Sequence, residues 1–443
     1  MKHLRRLFFY IFIMLFLNCA ALFYALHFNV LLKILITAIL LGAYVYYNVR
    51  PRTGEIPSKR LKILIGGYEL ILVSAICFIS EFLLYILFVP RVGIDTLNIV
   101  INGILCVILI AAMILNGYIR IFTASTQLGA KLRLYLICLW WFPIINIVLF
   151  YSCCKNVRLE YEFEVEKYLR NVKRKDENVC KTKYPILMVH GIFFRDWKLF
   201  GYWGRIPSEL IDNGAAVYFG NQQSSSSVEQ SANEIKKRIA EVLKESGCDK
   251  VNIIAHSKGG LDARYAISCL EMGQYVASLT TINTPHMGSA FAGKLIEKIP
   301  DKFVSSAGKK YEALFAKLGD DAPDFFGGVS ELTVEKCAEL NKTMVDYDGV
   351  VYQSAGSKMR SRFSAPFPLN AGYSMIEPLE GENDGLVATK SMACGNFLGI
   401  VTPPGKLGIS HGDMIDLTRK NIYGFDVCEF YVKLVNGLKT KGL

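Results

Sequence analysis

Hydrophobic and polar positions divide this 443-residue chain into two regimes. Up to about residue 152 the apolar residues form long, nearly unbroken runs, near 7–27, 30–48, 63–89, 95–119 and 133–152. Each approaches the roughly 20 residues that an α-helix needs to cross a bilayer, so the pattern predicts an all-α transmembrane domain of about five helices. From Tyr184 onward, short runs rich in β-branched residues alternate with amphipathic stretches, the signature of a parallel sheet with crossover helices. Strands are predicted at Pro185–Val189, Val251–Ile254, Ala277–Ile282 and Val350–Ser354. Ser227–Glu245 reads as a helix with Ile235, Ile239, Val242 and Leu243 on one face, and Glu429–Leu438 as a closing helix. The organisation this predicts is a transmembrane domain over 1–152, a charged linker over 153–182 and an α/β domain over 183–443.

Charge sharpens the division. Residues 1–182 carry 21 Lys and Arg against 10 Asp and Glu, leaving 29 of each for the rest. A nucleic-acid binder concentrates basic charge on its folded domain; here the excess flanks apolar runs, which points to a membrane and to no nucleic-acid partner. The first run follows Lys2, Arg5 and Arg6 but is too long for a signal peptide, and four more runs come after it. Basic residues cluster at the N-terminus, in Asn48–Lys62 and in Arg120–Arg133, while the alternate loops hold Lys33 and Arg91. The positive-inside rule puts the three clusters in the cytoplasm, and an odd number of spans then places everything after Tyr151 outside the cell membrane. The linker, with Glu160, Glu162, Glu164 and Glu166 among its lysines, reads as a solvated amphipathic segment. Glu69 and Glu81 fall inside the third run, where a carboxylate needs a partner; Glu69 is expected near the interface and Glu81 on an Asn or Tyr of a neighbouring helix. Twelve cysteines are scattered with no C-x-x-C pair, which excludes an obvious zinc or redox motif.

The chemistry concentrates in Val251–Tyr265, VNIIAHSKGGLDARY. A β-branched run ends in Ala-His-Ser-Lys-Gly-Gly and passes into a helical pattern. That is the strand, sharp turn and helix which hold a nucleophilic serine at the top of an α/β-hydrolase sheet. Ala255 and Gly259 flank Ser257 where larger side chains would collide across the turn. The Pro185–Val189 strand ends in His190-Gly191-Ile192, where this fold places one of two backbone donors for an oxyanion; the other is the residue after the nucleophile, so the pair is Ile192 and Lys258. A general base must be one of six histidines. His3 and His27 belong to the membrane segment, His190 to the first turn, and His256 sits beside the nucleophile with its side chain directed away. His286, after the strand in NTPHMG, borders the site. His411, in a Gly-bounded loop near the C-terminus, fits the order Ser, acid, His. Asp384, in a turn-forming Asn-Asp-Gly ahead of His411, is the acid. Residues 290–318 alternate Phe291, Leu295, Ile299 and Phe303 with Lys294, Lys298 and Lys302, as a lid would.

PILMVHG, AHSKGG, TINTPHMGS, ENDGLV and SHGD, in this order, resemble the bacterial triacylglycerol lipases of the α/β-hydrolase fold. The resemblance covers most of residues 183–435 and none of the membrane part. It implies hydrolysis of acylglycerol esters with Ser257, Asp384 and His411 as triad and no required cofactor. Lys258 departs from the family, which usually has an uncharged residue there, and a cation beside the nucleophile would alter substrate preference. Many relatives carry a structural calcium with one ligand two residues after the histidine, the place of Asp413. The sequence thus describes a membrane-anchored serine ester hydrolase acting on a lipid or acyl-ester substrate. Its rivals are a phospholipase or short-acyl carboxylesterase on the same machinery and, from another class, a catalytically silent lipid-sensing membrane protein.

Overall fold

A computed structural model describes residues 2–51, 57–87, 93–192, 201–223, 226–298 and 324–443. The chain divides into two compact units, Met1–Val172 and Lys173–Leu443.

The first unit is helical: α1 (Lys2–Leu17), α2 (Cys19–Ala25), α3 (Val30–Val49), α4 (Lys59–Leu87), α5 (Thr96–Ala124), α6 (Ala130–Cys138) and α7 (Pro143–Arg174). By length and composition α3, α4 and α5 can each cross a membrane. A fourth span exists if the pair α1 and α2, bent by 65° at Asn18, counts as one. Large apolar side chains such as Leu31, Phe78, Ile104 and Val107 stand exposed on these helices, as a lipid-facing surface requires.

The expected fifth span is not one helix. Nine-residue α6 reaches only about 14 Å before the chain turns at Leu139–Phe142. Pro143 imposes that break, since the residue before a proline is pushed out of helical geometry while proline itself suits a first turn. The fifth span, on which the outward placement rested, is therefore not supplied by a single membrane-length helix. The expected linker differs too: α7 runs helical to Arg174, and Glu160 is buried, not solvated. Its carboxylate accepts from the Arg60 guanidinium, the Ser125 hydroxyl at 2.6 Å and the Thr126 amide at 3.0 Å. Four glutamates in alternation look like a water-facing stripe, but a helix has period 3.6, so they cannot all share a face. Within the apolar helices, Glu69 pairs with both nitrogen positions of the Arg6 guanidinium fork, and Glu81 accepts from Asn18 Nδ2 at 2.6 Å.

The second unit is built on a six-stranded, all-parallel sheet in the order β2-β1-β3-β4-β5-β6. Its strands are β1 (Ile186–Val189), β2 (Val217–Phe219), β3 (Val251–His256), β4 (Val276–Ile282), β5 (Val351–Ser357) and β6 (Asn396–Val401). The central strands are buried on both faces, which is why they read as continuous apolar runs. Ile186, Met188, Ile254 and Ile282 meet a core that includes Trp203, the short helix α8 (Ile206–Asp212) and the closing helix Val427–Thr440. Leu187, Val189, Ile253 and Leu279 point oppositely, to α9 (Val228–Ser246) and α10 (Lys258–Cys269). Alternate residues thus bury against two helical layers, and loops at the carboxyl ends of β1, β3 and β4 are free to carry chemistry.

Replacing Glu160 by Ala leaves the Ser125 hydroxyl and the Thr126 amide without their acceptor. We expect a loss of about 1–3 kcal/mol in the helical unit, seen as a lower thermal midpoint of the detergent-solubilised protein; an unchanged midpoint would show the carboxylate to be dispensable.

Candidate active site

β3 delivers the chain to Ser257 and α10 carries it away, so the serine sits where a strand turns into a helix with no loop between. Ser257 has φ +57° and ψ −133°, a conformation costing a non-glycine residue about 1–3 kcal/mol. Two glycines make this turn possible. A Cβ on Gly191 would lie 2.7 Å from Ser257 Cβ, and one on Gly259 would overlap the His190 carbonyl oxygen. The end of β1 therefore lies directly against the elbow, which brings Gly191 and Ile192 beside Ser257. The Lys258 amide belongs to the first turn of α10, whose N–H groups have no intrahelical acceptor.

Asp384 and His411 lie in contact. His411 Nδ1 is 2.7 Å from Asp384 Oδ2, and the His411 amide donates to the Asp384 carbonyl at 2.9 Å. The fully buried carboxylate accepts three further bonds: from Asn283 Nδ2 to Oδ2 at 2.6 Å, and from the Leu386 and Val387 amides to Oδ1 at 2.9 and 2.8 Å. Four donors converge on it, the arrangement an ionised carboxylate needs. With Nδ1–H committed to Asp384, the Nε2 lone pair of His411 is the one available as base. The His411 ring packs 4.5 Å, centroid to centroid, from that of His256, the residue before Ser257.

The remaining residues named from sequence have other duties. His256 is hydrogen-bonded to the Tyr202 hydroxyl at 2.7 Å and backs the His411 ring, so its side chain is directed toward the site's histidine. Burial, and then His411, hold its pKa well below the usual histidine value. His286 does not face the nucleophile: Nδ1 receives Arg264 Nη1 at 3.4 Å and Nε2 meets Thr281 Oγ1 at 2.9 Å. Burial, helped by Arg264, lowers its pKa to about 3. Its loop is a brace, since Met287 N–H donates to Ser391 Oγ while Ser289 and Asn283 reach the acid loop through Leu386 and Asp384.

Lys258 corrects an expectation. Its ammonium is not a cation presented to substrate: it is buried, 2.6 Å from Asp262 Oδ1 and 3.1 Å from Ser231 Oγ. Burial pushes the Asp262 carboxyl up, and the Lys258 charge opposes that push. The i,i+4 pair along α10 turns the charge toward α9 and away from the elbow.

Asp413 accepts from the Ser410 amide and hydroxyl at 2.9 and 2.6 Å and so caps its own loop. Asp416, three residues on, is engaged by Arg205. Among the described residues no group of three His, Cys, Asp or Glu is gathered as metal ligands would be. Of the lid segment, α11 (Ala290–Lys298) is described and 299–318 lies outside the described residues. Asn283 and Asp262 are the partners that the sequence pattern did not single out. Asn283 has φ +49°, a conformation Asn tolerates better than most, and its place at the end of β4 was the available signal.

An all-parallel sheet layered by helices, with a strained serine at a strand–helix junction and a buried Asp–His pair beside it, defines an α/β-hydrolase of the serine-nucleophile class. Comparison with known proteins agrees. A family model described as "Putative serine esterase (DUF676)" matches residues 186–315. A triacylglycerol lipase of Vibrio cholerae is 31% identical over 292 residues, covering 60% of this chain and 91% of that protein. A triacylglycerol lipase of Pseudarthrobacter phenanthrenivorans is 40% identical over 121 residues, 26% of this chain. That match spans only 37% of the Pseudarthrobacter protein's own length. The crystal structure of the mature lipase BlEst2 of Bacillus licheniformis aligns over 57% of this chain and 92% of its own, at 19% identity and a TM-score of 0.44. The chain belongs to the triacylglycerol lipase family, serine ester hydrolases of the α/β-hydrolase fold.

Two expectations follow from the buried charges. Asp262→Asn strands an ammonium in the core and costs about 3–5 kcal/mol, whereas Lys258→Met with Asp262→Leu restores most of it; denaturant unfolding of the three proteins reads the difference. His286 is neutral when folded, but its unfolded form takes up a proton below about pH 6.5. Stability present above that pH is therefore lost as pH falls from about 6.5 toward 3, by up to about 1.4 kcal/mol per unit. His286→Gln should flatten this slope in unfolding series between pH 7 and 4.

Proposed function

We propose that this chain is a membrane-anchored serine ester hydrolase that cleaves acylglycerol esters through Ser257, His411 and Asp384. The observation that carries the proposal is the 2.7 Å contact between His411 Nδ1 and Asp384 Oδ2, made beside the strained serine turn. In the proposed reaction His411 Nε2 takes the Ser257 hydroxyl proton as Oγ attacks the acyl carbonyl carbon. The carbonyl oxygen becomes an oxyanion, which the Ile192 and Lys258 amides stabilise. Collapse of the tetrahedral species breaks the ester C–O bond, and His411 returns the proton to the departing alcohol. Water, deprotonated by His411, then releases the acid from the acyl-enzyme and restores Ser257. Asp384 fixes the histidine tautomer and offsets the imidazolium charge throughout.

Fatty-acyl esters are favoured over water-soluble ones because a helical unit with three to four membrane-competent helices holds the enzyme at its substrate, raising local concentration without a new contact. A phospholipase or short-acyl esterase would use the same residues and differ only in what the acyl and headgroup regions accept. With the basic Asn48–Lys62 and Arg120–Arg133 segments in the cytoplasm and α3, α4 and α5 as spans, the hydrolase unit lies on the cytoplasmic side; a further span after Ala124 would reverse this.

Ser257→Ala is expected to abolish both turnover and labelling by a fluorophosphonate probe. Asp384→Asn should lower kcat by about 10⁴ through the wrong tautomer, with little effect on KM. Rates across ester chain lengths, with and without a phosphate headgroup, test the substrate; turnover confined to soluble acetyl esters rules out the lipase reading. A membrane-impermeant fluorophosphonate on intact cells reports the side.

A further inference from the structure

Among the polar groups within the apolar helices, one set surrounds a cavity. About 450 Å³ in volume, it lies where α1 bends into α2, against α4 and α5, and is walled by Tyr10, Asn18, Leu22, Leu84, Tyr85 and Asn102 among mostly apolar neighbours. That volume is at the lower end of the range for small-ligand sites, enough for a single acyl chain and too small for three. Ile11 and Leu15 at its margin are 46% and 43% exposed, so the cavity opens toward the surface that meets lipid.

Its polar wall has a direction. Both Asn18 Nδ2 hydrogens are used, on the Met14 carbonyl and Glu81 Oε1. Asn102 Nδ2 donates to Asn18 Oδ1 and the Tyr85 hydroxyl, and that hydroxyl donates to the Ile99 carbonyl. The amide and Tyr85 donors of this wall are therefore committed, while Asn18 Oδ1 and Asn102 Oδ1, which accept from Asn102 Nδ2 and the Ala21 amide at 3.3 Å each, keep a second lone pair for a ligand. A ligand completing this wall must bring a donor of its own. An ionised fatty acid would bring a charge and no donor into this low-dielectric site, which is costly. An ester without a hydroxyl offers only acceptors.

We propose that this cavity binds a neutral, single-chain lipid with a hydroxyl head, of the monoacylglycerol kind, with its chain along the apolar wall and its hydroxyl toward Asn18 and Asn102. The proposal rests on the membrane reading of the helical unit and adds to it a lipid site separate from Ser257. Such a lipid is the chemical class left when acylglycerol esters are partly hydrolysed.

The test uses the full-length protein in lipid nanodiscs with an ether-linked monoalkylglycerol carrying a diazirine in its chain, which an esterase cannot cleave. Labelling is expected on peptides of Lys2–Ala25 and Thr96–Ala124, displaced by unlabelled monoalkylglycerol. It should fall about tenfold in Ala21→Phe, which fills the cavity, and in Ile11→Trp, which blocks its mouth from an exposed position. Hydrolysis of a soluble short-chain ester should be unchanged in both variants, and an enzyme inactive on every ester would leave the labelling result intact. Labelling spread evenly over lipid-facing helices, insensitive to both variants, or equalled by a phosphatidylcholine bearing the same diazirine chain overturns the proposal.

Discussion

The close approach of the β1 carboxyl end to the β3–α10 turn governs the hydrolase unit. Ser257 is held at φ +57° because the chain must leave a parallel strand and enter a helix without a loop. The backbone of His190 and Gly191 fills the space into which larger neighbours would project. Such a conformation persists only when its surroundings over-determine it. Here they do, through the bond from Ser257 N–H to the Ile282 carbonyl, the pairing of Val189 with Ala255, and the absence of side chains at Gly191 and Gly259. The same crowding brings the ends of β1 and β3 together, and with them every backbone group the proposed mechanism uses.

Electrostatic order is layered around that turn. The Asp384 carboxylate is fixed by three donors besides His411, so it is placed to hold that histidine in one orientation. His256, packed against the His411 ring, is kept neutral by burial, which prevents a second positive charge from competing beside it. The one ammonium next to the nucleophile is drawn into an ion pair with Asp262 and faces α9.

How much of this was legible depended on whether the signal was local. The elbow and the His-Gly turn are short patterns with steric causes, and each lies at the end of a strand as its pattern predicts. The strands β1, β3, β4 and β5 were legible because burial on both faces makes them apolar throughout. β2 has three half-buried residues and β6 begins exposed, so neither stands out from a loop. The partnerships of Asn283 with Asp384 and of Lys258 with Ser231 depend on where chain segments 101 and 27 residues apart meet. No window of sequence contains that. The fifth span failed for a different reason: hydropathy is blind to the helix break that Pro143 sets.

The helical unit must be held by something other than the hydrophobic effect if its outer surface faces lipid, because acyl chains are as apolar as leucine. Its polar side chains answer that need. Arg6 with Glu69, Asn18 with Glu81 and Asn102, and Tyr44 with the Leu109 carbonyl each tie two helices distant in sequence. These ties have a geometric consequence at Asn18. Its side chain reaches both Glu81 on α4 and Asn102 on α5 at the point where α1 bends by 65° into α2. A straight helix would close onto α4 and α5 along its length; a bent one cannot, and the space left over is the cavity beside Asn18. The polar contacts that specify the bundle therefore also fix where it is open, and they line that opening with acceptors.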